Sequence, residues 1–157
     1  MTSLTDVNRS DHLREPCGHR ERCQTLGMEF TIVWGGDPED VSVVTSGDAT
    51  AEALSAYASA VIADPNYRPG LRVLVDHRRA DLSRLATAAY ARRAEQFARD
   101  RVDADGHRIA YVVASTVDYG VTRMAQGLAG GKLDAEMDWR VFRDIDLARE
   151  WLGDSGV

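Results

Sequence analysis

The sequence predicts an α/β fold in which a mixed five-stranded sheet carries packed helices, in the order ββαβαβαβα. Three observations predict it. From residue 28 to 152, short β-rich runs alternate with runs of helical periodicity, the pattern of parallel strands joined by right-handed crossovers. The first two β-rich runs are separated only by a strong turn signal, so the sheet begins with an antiparallel pair. No repeat, low-complexity tract or composition break marks a second domain, and 157 residues suffice for one substantial core.

"EFTIVW" (29–34) and "VSVVTS" (41–46) flank the turn "GGDPED" and make the hairpin. "DATAEALSAYASAVIAD" (48–64) is a helix with Leu54, Ala58, Val61 and Ile62 on one face, stopped by Pro65. "LRVLVD" (71–76) is a short apolar strand. Residues 82–102 then form a long helix whose inner stripe is Leu82, Leu85, Ala89 and Phe97, with Arg84, Arg92, Glu95 and Arg99 elsewhere on its surface. After the turn "DADG" (103–106), "RIAYVVAS" (108–115) is nearly all apolar, as a central strand covered on both faces should be. "DYGVTRMAQGLAGG" (118–131) is a shorter helix with Val121, Met124, Ala125 and Leu128 inward and glycines ending it. "DWRVFRD" (138–144) supplies the last strand and "IDLAREWL" (145–152) the closing helix. Trp139 and Trp151 are assigned to the core. Trp34, beside the hairpin turn, is expected to be partly exposed.

Residues 1–27 are polar and unpatterned, with Pro16 and Gly18 interrupting any helix, and read as a flexible leader. Met28 stands directly before the first strand-like run and is a second candidate start of translation. The leader lacks the apolar core of a secretory signal. No apolar stretch approaches the roughly 20 residues of a membrane helix, so a cytoplasmic location without a membrane span is expected. The net charge of −6 falls entirely outside the leader, which carries four Arg and four acidic residues. An acidic domain repels phosphate backbones, so nucleic acid is excluded as a general partner.

Catalytic and cofactor motifs are lacking. There is no G-x-x-x-x-G-K-[ST] and no G-x-G-x-x-G after a strand, nor a G-x-S-x-G elbow. His12, Cys17, His19 and Cys23 are spaced unlike paired zinc ligands and lack apolar neighbours to pack around a metal. "RVDADGH" (101–107) has Arg101 and Val112 where a calcium loop needs oxygen ligands. No metal, cofactor or catalytic residue is therefore assigned. An enzyme using Asp76, His77 and Ser83 remains a rival, and it requires those side chains to converge in one cleft.

Two strand–helix junctions remain, the places where sites collect in open α/β sheets. The first, "DHRRADLSR", offers Asp76, His77, Arg78, Arg79, Asp81 and Arg84 as partner-binding residues, with Ser83 as a phosphorylation candidate. A phosphoryl group on Ser83 would meet helix N–H groups and guanidinium charge. The simpler reading is that Asp81 or Ser83 caps the helix, worth about 1 kcal/mol. The second junction, "ASTVDYGVTR", offers Ser115, Thr116 and Asp118 as caps and Tyr119 and Arg123 as partner-facing residues.

The element order, together with "VLVDHRRADLSRLA", resembles the STAS/SpoIIAA-like (STAS/SEC14-type) domain family over residues 28–152. Anti-sigma-factor antagonists of that class carry an Asp-Ser-Ser-Gly-Leu segment after a strand, and a kinase phosphorylates its second Ser. Asp81, Ser83 and Leu85 match that segment, while Leu82 replaces the first Ser and Arg84 the Gly. The ending "RVFRDIDLAREWL" is also similar to the family's. The resemblance implies a non-enzymatic regulatory domain that binds a protein partner, a regulatory kinase or an anti-sigma-type protein, and it is compatible with a homodimer. The alternative it implies is a small-ligand or lipid-binding module of the same fold, marked by a closed apolar pocket between sheet and helices.

Overall fold

A computed structural model describes residues 20–25, 27–85, 106–130 and 138–154. Six strands form one sheet in chain order: β1 (Arg20–Thr25), β2 (Met28–Trp34), β3 (Val41–Asp48), β4 (Arg72–Asp81), β5 (Arg108–Val112) and β6 (Asp138–Phe142). Among the described residues the helices are α1 (Ala51–Ala63), α2 (Thr116–Gly130) and α3 (Ile145–Gly153). β1, β2 and β3 pair antiparallel, and β3 to β6 pair parallel. The mixed sheet is thus as expected, with one strand more.

The extra strand lies inside the expected leader. "RERCQT" has no apolar alternation, so its sequence alone does not ask for a strand. Its order comes from β2, whose backbone it meets over Arg20↔Val33 to Thr25↔Met28. Residues 1–19 and 26 of the expected leader lie outside the described residues, as do residues 86–102 of the expected long helix, 103–105 of the turn after it and 131 of the expected shorter helix.

The core has two layers. On one face, Val43, Val73, Val75 and Ile109 pack with Leu54, Tyr57 and Val61 of α1. On the other, Leu74, Ala110 and Val112 pack with Ala148, Trp151 and Leu152 of α3. The near-continuous apolar runs of β4 and β5 follow from this double cover. Each helix starts on a polar cap. Thr50 accepts the Ala53 N–H at 3.1 Å, and Asp144 accepts the Asp146 N–H at 2.8 Å.

Three expectations are corrected. Trp34 is buried, 5% exposed, because it continues the Met28, Phe30, Ile32 alternation onto the α1 face. β4 runs on to Asp81, where the sequence suggested a loop from residue 77. α2 is rotated from its expected phase: Asp118 and Thr122 are buried, whereas Met124 is 57% exposed and Val121 half-buried. Its first turn sets that phase. Ser115 Oγ accepts the Asp118 N–H at 2.9 Å, and Tyr119 packs against the core on the α1 side.

Candidate functional site

β4 outlasts its neighbour. Its pairing with β5 ends at Asp76↔Val112, but with β3 it continues to Asp48↔Asp81. The register shifts between Val44↔Asp76 and Ser46↔Arg79, so β4 carries one residue more than β3 there, a bulge that re-aims the following side chains. Thr45, opposite the bulge and fully buried, bridges it: its Oγ1 donates to the Asp76 carbonyl at 3.3 Å and lies 2.7 Å from His77 Nδ1.

The bulge sorts the predicted residues of this junction. His77, only 2% exposed, turns to the α1 face, where its ring stacks on Tyr111 with centroids 5.9 Å apart and tilts against Tyr57 at 6.0 Å. Asp76, 9% exposed, shares the opposite face with Leu74. Both are therefore set apart from any accessible docking surface. Arg78, Arg79, Asp81, Ser83 and Arg84 are exposed.

Asp76 and Arg78 form a two-pronged ion pair, with Nε donating to Oδ1 at 2.9 Å and Nη2 to Oδ2 at 2.8 Å. Burial pushes the Asp76 carboxyl up, but the Arg78 side-chain and backbone hydrogen bonds and charge outweigh it and hold the group below its ordinary value. Arg78 is raised in turn, by its bond to Asp76 first and then, against some burial, by the charges of Asp76, Asp146 and Asp144.

Beyond β4 the chain makes a single turn, Leu85 N–H donating to the Leu82 carbonyl at 3.0 Å. Leu82 and Leu85 are buried and pin the turn at both ends. Between them Ser83 is exposed, and its Oγ donates to Asp81 Oδ1 at 2.5 Å while its N–H donates to the same oxygen at 2.9 Å. Asp81 is thus the acceptor and Ser83 the donor. The Ser83 hydroxyl, then its N–H, holds the fully exposed Asp81 carboxyl below its ordinary value, with a smaller contribution from the Arg84 charge.

Asp76, His77 and Ser83 do not converge. Asp76 bonds Arg78 on one face of the sheet, His77 meets Thr45 on the other, and the Ser83 hydroxyl is committed to Asp81. The arrangement lacks the relay that a serine nucleophile needs. At the second junction Ser115 is the cap of α2, Asp118 is buried, Tyr119 is half-buried against the core, and Arg123 is exposed.

Sequence reasoning missed a second feature on the α1 face. A cavity of about 50 Å³ lies between α1 and strands β3 to β5, and its walls include Val61, Val73, Ile109, Tyr67 and His107. His107 is buried beside it. Its Nδ1 accepts the Leu71 N–H at 3.1 Å, and its Nε2 lies 3.0 Å from Tyr67 Oη. The sequence signal was slight: a histidine directly before an apolar strand. Among the described residues no cluster of three His, Cys, Asp or Glu side chains could hold a metal ion, and no helix is long and apolar enough to cross a membrane.

No protein-family model matches the chain, and no curated protein matches it. Its structure is similar to the crystal structure of an uncharacterised protein of the DUF3478 family from Shewanella loihica PV-4, which has a SpoIIAA-like fold. The two are 18% identical, the match covers 83% of this chain and 98% of that one, and the TM-score is 0.49.

Proposed function

We propose that this chain is a non-enzymatic regulatory domain that binds another protein through the accessible end of β4 and the turn after it. Phosphorylation of Ser83 modulates the contact. One observation supports this reading above the others: an exposed serine hydroxyl, held by one carboxylate, on a turn anchored by two buried leucines. A phosphate ester on Ser83 Oγ has no proton to donate, so its bond to Asp81 is lost. It also sets a charge of about −1.5 to −2 against that carboxylate. The turn must then rearrange between fixed ends, and a partner reading Arg79, Asp81 and Arg84 meets both a new shape and a new charge. The resemblance to anti-sigma-factor antagonists points to an anti-sigma-type protein or a regulatory kinase as that partner.

The experiment uses the full chain in its native lysate with ATP. Phosphate mapped to Ser83, together with a partner whose capture changes in Ser83→Asp and Arg84→Glu, is the expected result. Absence of phosphate on Ser83, with capture unaltered by both substitutions, removes the proposal.

A small-ligand module is the second reading, and the cavity beneath α1 favours it. Size argues against a lipid. About 50 Å³ is room for a few waters, so a lipid tail would require α1 to move away from the sheet. Native mass spectrometry showing a co-purified ligand would favour this reading.

A further inference from the structure

His107 joins three parts of the chain. Through its ring it holds Leu71 at the entry to β4 and Tyr67 in the connection from α1, whose ring also meets it edge-on at 5.5 Å. Through its carbonyl it accepts the Asp138 N–H at the start of β6, at 3.0 Å. The partners dictate the tautomer. A backbone N–H only donates, so Nδ1 carries the lone pair, and the ring proton sits on Nε2 and is donated to Tyr67 Oη. A second proton could enter the ring only at Nδ1, where it would face the Leu71 N–H donor. The Leu71 bond would then have to break.

His77 differs at the same atom. Its Nδ1 meets the Thr45 hydroxyl, whose own proton goes to the Asp76 carbonyl, so the hydroxyl accepts from an Nδ1–H and the bond persists in a protonated ring.

We infer that His107 is an acid-released latch. The neutral ring ties Leu71 and Tyr67 together at the edge of the sheet. Protonation at Nδ1 breaks the Leu71 tie, while Nε2–H keeps Tyr67 and Arg68 stays paired with Asp40. Tyr67, Leu71 and His107 are also walls of the cavity under α1, so release loosens that wall at Leu71. The titratable groups around the cavity with His107, among the described residues, are Tyr57 of α1, Tyr67 of the connection and Tyr111 of β5. Arg72, Arg108 and Asp138, the nearby charged residues on β4, β5 and β6, fall by register on the α3 face, where Arg108 lies over Trp151. The latch is closed with the ring neutral and opens when the ring takes a proton at Nδ1.

The test is nuclear magnetic resonance on the full chain at about pH 7.5 and about pH 5.5, on either side of the usual histidine transition. It records the imidazole nitrogen shifts and the Leu71 amide exchange, corrected for intrinsic chemistry, in the wild type and in His107→Gln. Glutamine offers an oxygen to Leu71 and an N–H to Tyr67 but does not titrate. The expected result is the Nε2–H tautomer at neutral pH, with Leu71 exchange about tenfold faster at the lower pH in the wild type only. An Nδ1–H tautomer at neutral pH, or equal acid acceleration in both proteins, overturns the inference. If His107→Gln does not fold, the wild type decides alone: ring protonation that leaves Leu71 exchange unchanged overturns it too.

Discussion

The two halves of β4 make different use of the same backbone geometry. Arg72–Asp76 pairs with β3 on one side and β5 on the other, and its Val73, Leu74 and Val75 are buried beneath helices on both faces. His77–Asp81 keeps only β3 and carries the bulge. Where β5 has ended, side chains take over as partners for the main chain. Asp76 Oδ1 accepts the Arg78 N–H at 3.0 Å, Asp81 Oδ1 accepts the Ser83 N–H, and Thr45 donates to the Asp76 carbonyl. The polar run after residue 76 therefore does structural work before it does anything else.

That contrast can be broken by mutation. Leu74→Ala, in the doubly covered half, should cost about 2–5 kcal/mol in urea unfolding, the range for emptying a buried leucine site. Thr45→Val strips the bulge of its bridging hydroxyl and should cost about 1–3 kcal/mol, because buried partners are left unsatisfied. Asp76→Asn should cost about 1 kcal/mol, discounted because the Arg78 side chain is 43% exposed. The Asp76 carboxyl is lowered in the fold, so its contribution is complete above about pH 4, the ordinary carboxylate value. It fades as pH falls through the lower folded value, and the difference between wild type and Asp76→Asn should shrink with it. Arg79→Ala, on the exposed half, should stay within about 0.5 kcal/mol. A loss there comparable to that of Leu74→Ala would show that the two halves are not distinct.

Among the described residues, the order of elements from β2 to α3 was legible because apolar periodicity switches cleanly between two and 3.6 residues. What was not legible depended on neighbours. β1 has no pattern of its own and is a strand because β2 presents a backbone to pair with. The end of β4 was hidden by Asp76, Arg78 and Arg79, charged residues that suit a loop but here face solvent or pair with each other. The phase of α2 followed from Ser115 and Tyr119 rather than from its apolar count. At the candidate site, the sequence singled out Ser83 and Asp81 together but not which would donate. The burial of His77 and the Tyr67–His107–Leu71 linkage join residues 36 or more positions apart or sit on opposite faces of one strand, which no local reading reveals.

β1 also has a bearing on the exposed margin of the sheet. Among the described residues the ribbon at this margin is β1, whose exposed Arg20 and Arg22 discourage another chain from adding to it. A product initiated at Met28 would lack that ribbon and present the amides and carbonyls of "MEFTIVW" along an open margin. Such a product would invite self-association through strand addition, so the first residues of the sheet act as a sheath for the second.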